Sequence, residues 1–423
     1  MKKNIGFLST RFAGVDGVTL EASKWAQVLR GMGHTCFWFA GKLDKDPARS
    51  MQVPEAFFQH EKNLWINERI FGRKQRDPVV TDTIQEVKNR LKERIREFVR
   101  RFDIDMLILQ NALTIPMHVP LGMALTEFIA ETQTPTIAHH HDFYWERTRF
   151  SVNGVGDYLR MAFPPNLPSM EHVVINSAAQ EELALRTGIS SIIIPNILDF
   201  ENPPDAALTC RLTLRSELGL QEDDIIILQP TRIVQRKGIE HALTLVKELA
   251  DPRCKLVISH EAGDEGYDYA DWLKQEARNM GIDLRMLNTD MRDPWNDMES
   301  DSDGHSLLDI YPCADFVTYP SLYEGFGNAF LEAVYFQKPV LINRYAIFVR
   351  DIEPKGFDLV AMDGFLTEKT IRKVRELLKS EERRLRMVRT NYEVASRHYS
   401  YAVLRRWLRI LLINFFGTEG ADA

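Results

Sequence analysis

The chain has 423 residues, 44% hydrophobic and 27% charged, which is the composition of a globular protein too long for one compact core. A formal net charge of -7 gives no electrostatic reason to bind nucleic acid. Four scattered cysteines, Cys36, Cys210, Cys254 and Cys313, argue for a reducing compartment and against a structural zinc site.

The N-terminus, MKKNIGFLSTRF, has an apolar run broken at once by Ser9, Thr10 and Arg11, which makes it a first strand, Asn4–Ser9, and not a signal peptide. The loop after it, Thr10–Thr19, carries Gly14 and Gly17, where backbone can approach a ligand closely. A helix is expected over Leu20–Met32, stopped by Gly33 as a C-terminal cap. Strands follow at Thr35–Phe39, Met106–Gln110, Thr136–His139, His172–Asn176 and Ser191–Ile194, with a basic amphipathic helix across residues 86–101.

Pro195–Pro204 holds three prolines and no periodicity, and is read as a linker. The alternation then restarts. Strand Ile225–Gln229 leads to helix Lys237–Leu249, strand Cys254–His260 to helix Tyr269–Met280, then strands Asp283–Leu287 and Phe316–Thr318, helix Asn328–Phe336 and strand Val340–Asn343. Residues 367–395 read as charged helices. Tyr401–Phe416 sets Leu404, Trp407, Leu408, Leu411 and Leu412 at helical spacing, and packing back on the first domain is preferred to lying on a membrane surface. The longest apolar tract, Ile410–Phe416, is far short of the roughly 20 residues that span a bilayer, so a soluble, cytoplasmic chain is the expectation.

The fold class is therefore α/β, with two Rossmann-like domains facing across a cleft. The first takes residues 1–195, a linker 196–205, the second 206–395, and a C-terminal helix 396–423.

The most specific chemical signal is Pro320-Ser321-Leu322-Tyr323-Glu324-Gly325-Phe326-Gly327-Asn328-Ala329-Phe330-Leu331-Glu332, which runs from a strand end into a helix. The glycines admit a ligand, the helix N-terminus offers amides and partial positive charge, and two carboxylates can grip two hydroxyl-bearing parts of one ligand. The second is Pro230–Gly238, where Arg232 supplies a fork and Lys237 a compact charge for a diphosphate, with Arg236 expected to point to solvent. The third is His139-His140-His141-Asp142 at another strand end. Alternation puts His139 and His141 on one side and His140 on the other, which disfavours one shared metal ion; His141 is preferred as the sugar contact. Asp142, Arg147 and Arg149 are placed at the acceptor, the arginines to hold an anionic one or else to make surface salt bridges.

Taken together, these residues resemble the family-4 glycosyltransferases, retaining enzymes of the GT-B architecture, over nearly the whole chain. The resemblance implies that Arg232 and Lys237 stabilise a donor diphosphate, that Glu324 contacts the donor sugar and Glu332 the ribose, and that Gly17 approaches the phosphates. It adds Gly325, Phe326, Gly327 and Asn328 to the donor site and His141 to the transferring sugar. It implies no metal and no cofactor, so Asp301-Ser302-Asp303 reads as a solvated loop. Three features depart from the family: Asp16-Gly17 stands where a Gly-Gly pair is common, Asn343-Arg344-Tyr345 follows Pro339-Val340, and the stretch Asn288–Gly304 is long and acidic.

The function so implied is hexosyl transfer from a nucleotide-diphosphate sugar, of the UDP-glucose or GDP-mannose type, to a small soluble anionic acceptor such as a sugar phosphate or glycerate derivative. The rival within the class is a lipid-linked or polysaccharide acceptor at a membrane surface. Rivals of other kinds are a metal-dependent hydrolase using His139–Asp142, a sugar-nucleotide epimerase, and a non-catalytic sugar-binding homologue.

Overall fold

The computed structural model describes residues 2–203, 214–260, 267–287 and 307–418. Cys210 and the acidic stretch 293–303 lie outside the described residues. Two compact units divide the chain between Pro195 and Asn196, and the residues from Leu404 onward group with the first unit.

The first unit is built on a seven-stranded sheet in the order β5-β3-β1-β6-β7-β8-β9. Its strands are β1 (Asn4–Leu8), β3 (Thr35–Ala40), β5 (Ser50–Gln52), β6 (Met106–Gln110), β7 (Thr136–His140), β8 (Met170–Val174) and β9 (Ile192–Ile193); β2 (Arg11–Phe12) and β4 (Lys42–Leu43) pair beside it. Every pairing is parallel. The central strands are apolar on both faces, as helices covering both sides require. The helix Pro78–Arg101 shows why. Asp77 caps it through the Val79 amide, and Val80, Ile84, Val87, Leu91, Ile95 and Phe98 form one buried stripe. That stripe shares a core with Leu121, Leu125 and Phe128 of the helix Val119–Thr132.

The second unit repeats the scheme with six parallel strands in the order β12-β11-β10-β13-β14-β15. These are β10 (Ile225–Gln229), β11 (Cys254–Ile258), β12 (Leu284–Met286), β13 (Phe316–Tyr319), β14 (Val340–Asn343) and β15 (Val360–Met362). Helices Ile239–Leu249, Asp268–Met280 and Glu368–Lys379 bury Leu243, Val246, Leu273 and Val374 in its core. Strand order reverses at β1/β6 in the first unit and at β10/β13 in the second. In open α/β sheets such a switch, at the carboxyl ends of the strands, is where ligands bind.

Several expected boundaries move for visible reasons. The first helix begins at Gly17, not Leu20, because the Asp16 carboxylate caps it by accepting from the Val18 and Thr19 amides. The strand placed at His172–Asn176 lies two residues earlier, since the Asn176 side chain caps the next helix through the Ala179 amide at 2.7 Å. The linker's described start is docked: Leu198 donates to the Tyr399 carbonyl at 2.9 Å, and the Phe200 carbonyl accepts from Tyr392 at 2.8 Å. The helix Tyr401–Phe416 buries Leu404, Leu408, Leu411 and Leu412 almost fully, and Lys3 lies over the Phe416 ring at 4.2 Å. Among the described residues no helix is long and apolar enough to cross a membrane.

Candidate active site

In the second unit, β10 and β13 are neighbours, and the loops leaving their carboxyl ends run against each other. The Leu322 amide donates to the Arg236 carbonyl at 2.8 Å. Gly238 turns at φ +60°, and a Cβ there would stand 2.6 Å from the Pro320 carbonyl oxygen, so only glycine lets the two loops approach this closely.

This approach pairs Lys237 with Glu324, two side chains each 11% exposed. Arg236 joins the same carboxylate, its Nη1 3.2 Å from Oε2. That corrects the expectation that Arg236 points to solvent. Residues 235–237 form a 3-10 turn, in which successive side chains step by a third of a turn, and Arg236 and Lys237 both reach the carboxylate from it. Burial pushes the Glu324 carboxyl up, but Lys237 and then Arg236 outweigh it and hold the group below its ordinary value, so it stays ionised. The Lys237 ammonium also lies over the Tyr319 ring at 5.8 Å.

Arg232 is exposed, and its charge acts on both Lys237 and His260. The structure thus brings Arg232, Lys237 and Glu324 together at one switch point. Glu332, on the helix Asn328–Tyr335, is buried and accepts from the Tyr311 hydroxyl at 2.9 Å. Tyr319, at the end of β13, has its hydroxyl pushed well up by burial and then by the charges of both Glu324 and Glu332.

The glycine turn between them is held from beneath. Gly327 has φ +126°, and a Cβ there would meet the Tyr345 hydroxyl at 2.3 Å. That hydroxyl donates to the Phe326 carbonyl at 2.6 Å. The departure at Asn343–Tyr345 therefore supplies the prop for the turn. Phe326 itself is buried edge-on against Tyr399, so its ring belongs to the core and only its backbone can meet a ligand. Asn328 accepts from the Asn196 side chain at 2.5 Å, which ties the start of the linker to this helix.

In the first unit the Asp16 carboxylate occupies amides of the first helical turn and also pairs with Arg11 at 3.1 Å. A ligand at Gly17 would meet a capped helix, unlike one at a bare Gly-Gly turn. The histidines divide by face. His139 stacks between Trp25 and His141, at 4.4 Å from each ring, whereas His140 contacts His172 at 2.9 Å and Thr114 at 2.5 Å. Among the described residues no group of three or more His, Cys, Asp or Glu side chains is arranged to hold a metal ion.

His141 is set by β6 next door: its Nε2 meets the side-chain amide oxygen Oε1 of Gln110 at 2.9 Å and its backbone amide donates to Asn111 Oδ1 at 2.9 Å. A carbonyl oxygen only accepts, so Nε2 carries the proton and Nδ1 is an acceptor. Burial brings the imidazole down to about 4, against Asp142 and Asp16, so it is neutral near pH 7. Asn111 also donates to Asp142 at 3.0 Å, and Arg147 Nε donates to the other oxygen of Asp142 at 2.6 Å. Arg147 is thus engaged with Asp142, while Arg149 is exposed and lies over Phe150 at 4.5 Å.

Reading the sequence alone missed Tyr311, Tyr319, Gln110, Asn111 and His260. Gln110, Asn111, Tyr319 and His260 act from strand ends and Tyr311 from a 3-10 turn, and sequence spacing does not display the neighbours of either; the strand-end position of Gln110 and His260 was the available signal.

The model of the family described as glycosyl transferases group 1 matches residues 211–394. The mannosylglucosylglycerate synthase of Petrotoga mobilis is 32% identical over 383 residues, covering 85% of this chain and 86% of its own. The enzyme of the same name from Thermotoga maritima is 29% identical, covering 94% and 96%. Among solved structures, a glycosyltransferase from Rickettsia africae shares the fold with a TM-score of 0.70 at 13% identity, over 99% of both chains. The fold is the α/β GT-B fold, and the chain belongs to the group 1 glycosyl transferases.

Proposed function

We propose that the chain is a retaining hexosyltransferase that moves a sugar, mannose in the first instance, from a nucleoside-diphosphate donor to a hydroxyl of a small glycosylated glycerate. The observation that carries the donor side is the pairing of Lys237 with Glu324 at the β10/β13 switch, with Arg232 beside it. Two cations stand where a diphosphate develops charge as its bond to the sugar breaks, and preorganised charge of this kind commonly supplies the largest share of rate enhancement. Glu324 and Glu332 offer acceptors for donor hydroxyls on the sugar and the ribose. The amides of Gly325–Asn328 complete the donor contacts within the second unit.

Two relatives similar over most of their length carry the name mannosylglucosylglycerate synthase, which supports a glycerate-type acceptor and a mannosyl donor. In the first unit, His141 offers a neutral Nδ1 acceptor to a sugar hydroxyl, and Asp142, Arg147 and Arg149 form the acceptor side. Retention follows the family resemblance, with the acceptor hydroxyl entering on the face the diphosphate leaves.

The test is direct. Full-length protein is incubated with GDP-mannose or UDP-glucose and with glycerate or glucosylglycerate, and the product is read by NMR. Transfer with an unchanged anomeric centre is expected. An inverted product would exclude retention, turnover of donor without acceptor would favour an epimerase, and full activity in both Lys237→Ala and Glu324→Ala would place the donor elsewhere.

A further inference from the structure

β11 lies directly beside β10 in parallel register, with Ile258 opposite Gln229. The segments that follow, Ser259-His260 and Pro230-Thr231-Arg232, therefore leave the same carboxyl edge side by side. The Ser259 amide donates to the Gln229 carbonyl at 3.4 Å, which holds the two exits together. β13, on the other side of β10, delivers Glu324. Three adjacent strand ends thus converge, and the third brings a histidine.

His260 is partly buried and lies in the field of both Arg232 and Lys237. Its Nδ1 is 2.8 Å from the hydroxyl of Ser259, a residue with no exposed surface. In the tautomer where the Ser259 hydroxyl donates to Nδ1, which is the one the inference uses, the single imidazole proton sits on Nε2 and that nitrogen is a hydrogen-bond donor. Among the described residues, the charged groups whose fields reach it are Arg232 and Lys237. Burial, then Arg232 and Lys237, bring the imidazole down to about 4, so it stands neutral near pH 7.

We propose that His260 is a further donor-site residue, whose Nε2 donates a hydrogen bond to the diphosphate of the nucleotide sugar beside Arg232 and Lys237. The inference rests on the donor-site reading above and extends it to a third strand. A neutral donor adds a directed contact to an oxyanion without a third positive charge crowding the first two. Because negative charge grows on the diphosphate as the sugar departs, the bond strengthens toward the transition state, and kcat is affected along with binding.

The experiment compares full-length His260→Ala, His260→Gln and Lys237→Ala with the native chain, using GDP and UDP in calorimetry and the transfer assay for kcat and KM. His260→Ala is expected to weaken nucleoside diphosphate binding about 10-fold, the size of one hydrogen bond to a charged group, and to lower kcat by on the order of 10-fold or more. His260→Gln, which keeps an N–H donor, recovers part of both. In 15N-histidine-labelled native protein, GDP or UDP shifts one imidazole Nε2 resonance, and that resonance is missing in His260→Gln. Native binding and turnover in His260→Ala, with both lost in Lys237→Ala, overturns the inference and leaves the donor site standing. Native behaviour in both variants removes the donor site and the inference with it. An imidazole spectrum unmoved by either diphosphate overturns the inference even if His260→Ala does not fold.

Discussion

Glu324 is shared by two cations, whereas Lys237 relies on that carboxylate, and this asymmetry predicts unequal mutants. Removing one partner of a buried pair leaves the other charge uncompensated, at a cost of about 3–5 kcal/mol where no substitute exists. Lys237→Ala leaves Glu324 with Arg236, so its melting temperature falls less than that of Glu324→Ala; equal losses would show that Arg236 does not engage. In the transfer assay each is expected to lose on the order of 100-fold in kcat, by analogy with a single oxyanion donor. Gly327→Ala is disfavoured twice, by its φ of +126° and by the Tyr345 hydroxyl 2.3 Å from the new methyl. Backbone strain of this kind costs about 1–3 kcal/mol, and because the strain sits in the turn between the two glutamates, donor KM should rise in the same variant. A native melting curve with native KM would mean the turn relaxes freely. Site residues were legible here to an uneven degree. Arg232, Lys237 and Glu324, proposed for the donor, stand out by their chemistry just past strand ends, and Glu332 does so on the helix that follows. Arg236 was expected in solvent because nothing in the spacing shows the 3-10 turn that brings it to the same carboxylate as Lys237, and Tyr345 was seen as a departure without its role as a prop.

Elements were legible where apolar runs are long. Met106–Gln110, Ile225–Gln229 and Val340–Asn343 stand where their apolar, largely β-branched runs predict. The short strands Arg11–Phe12, Lys42–Leu43, Ser50–Gln52 and Val360–Met362 carry too few residues for any period to show, and partners fixed elsewhere in the sheet decide them. The C-terminal helix gives the sharpest test at this scale. Leu408 and Leu411 have no exposed surface, so Leu408→Ala or Leu411→Ala should cost about 2–5 kcal/mol, read as a lower denaturant midpoint. A helix that served only to lie on lipid would show no such loss. Capping makes a smaller, separate prediction: Asp16→Ala removes side-chain bonds to the Val18 and Thr19 amides and should cost about 1 kcal/mol.

For the whole molecule, pH is the revealing variable. Burial holds His118, His141 and His172 down to about 4, well below the ordinary 6.5 of an unfolded chain. Between those values the unfolded chain binds protons that the native protein refuses, so stability is highest above about pH 6.5 and falls as pH drops. Each such histidine steepens the fall by up to about 1.4 kcal/mol per pH unit. Glu324 acts in the same direction but later: its contribution is complete above the ordinary 4.5 and is lost as pH falls through its depressed native value. Chemical denaturation at pH 7.5, 6 and 5 checks this, and a flat profile would mean that the histidines protonate in place.

Because the polypeptide leaves the first unit at Pro195 and returns to it at Leu404, the first unit is completed by chain that the ribosome makes last. A fragment ending at residue 195 would therefore lack the final helix, whose Leu404, Leu408, Leu411 and Leu412 are buried, and should be insoluble. The same fragment joined by a short tether to residues 404–418 would carry its own lid. Anyone dissecting the two halves should cut twice and splice once.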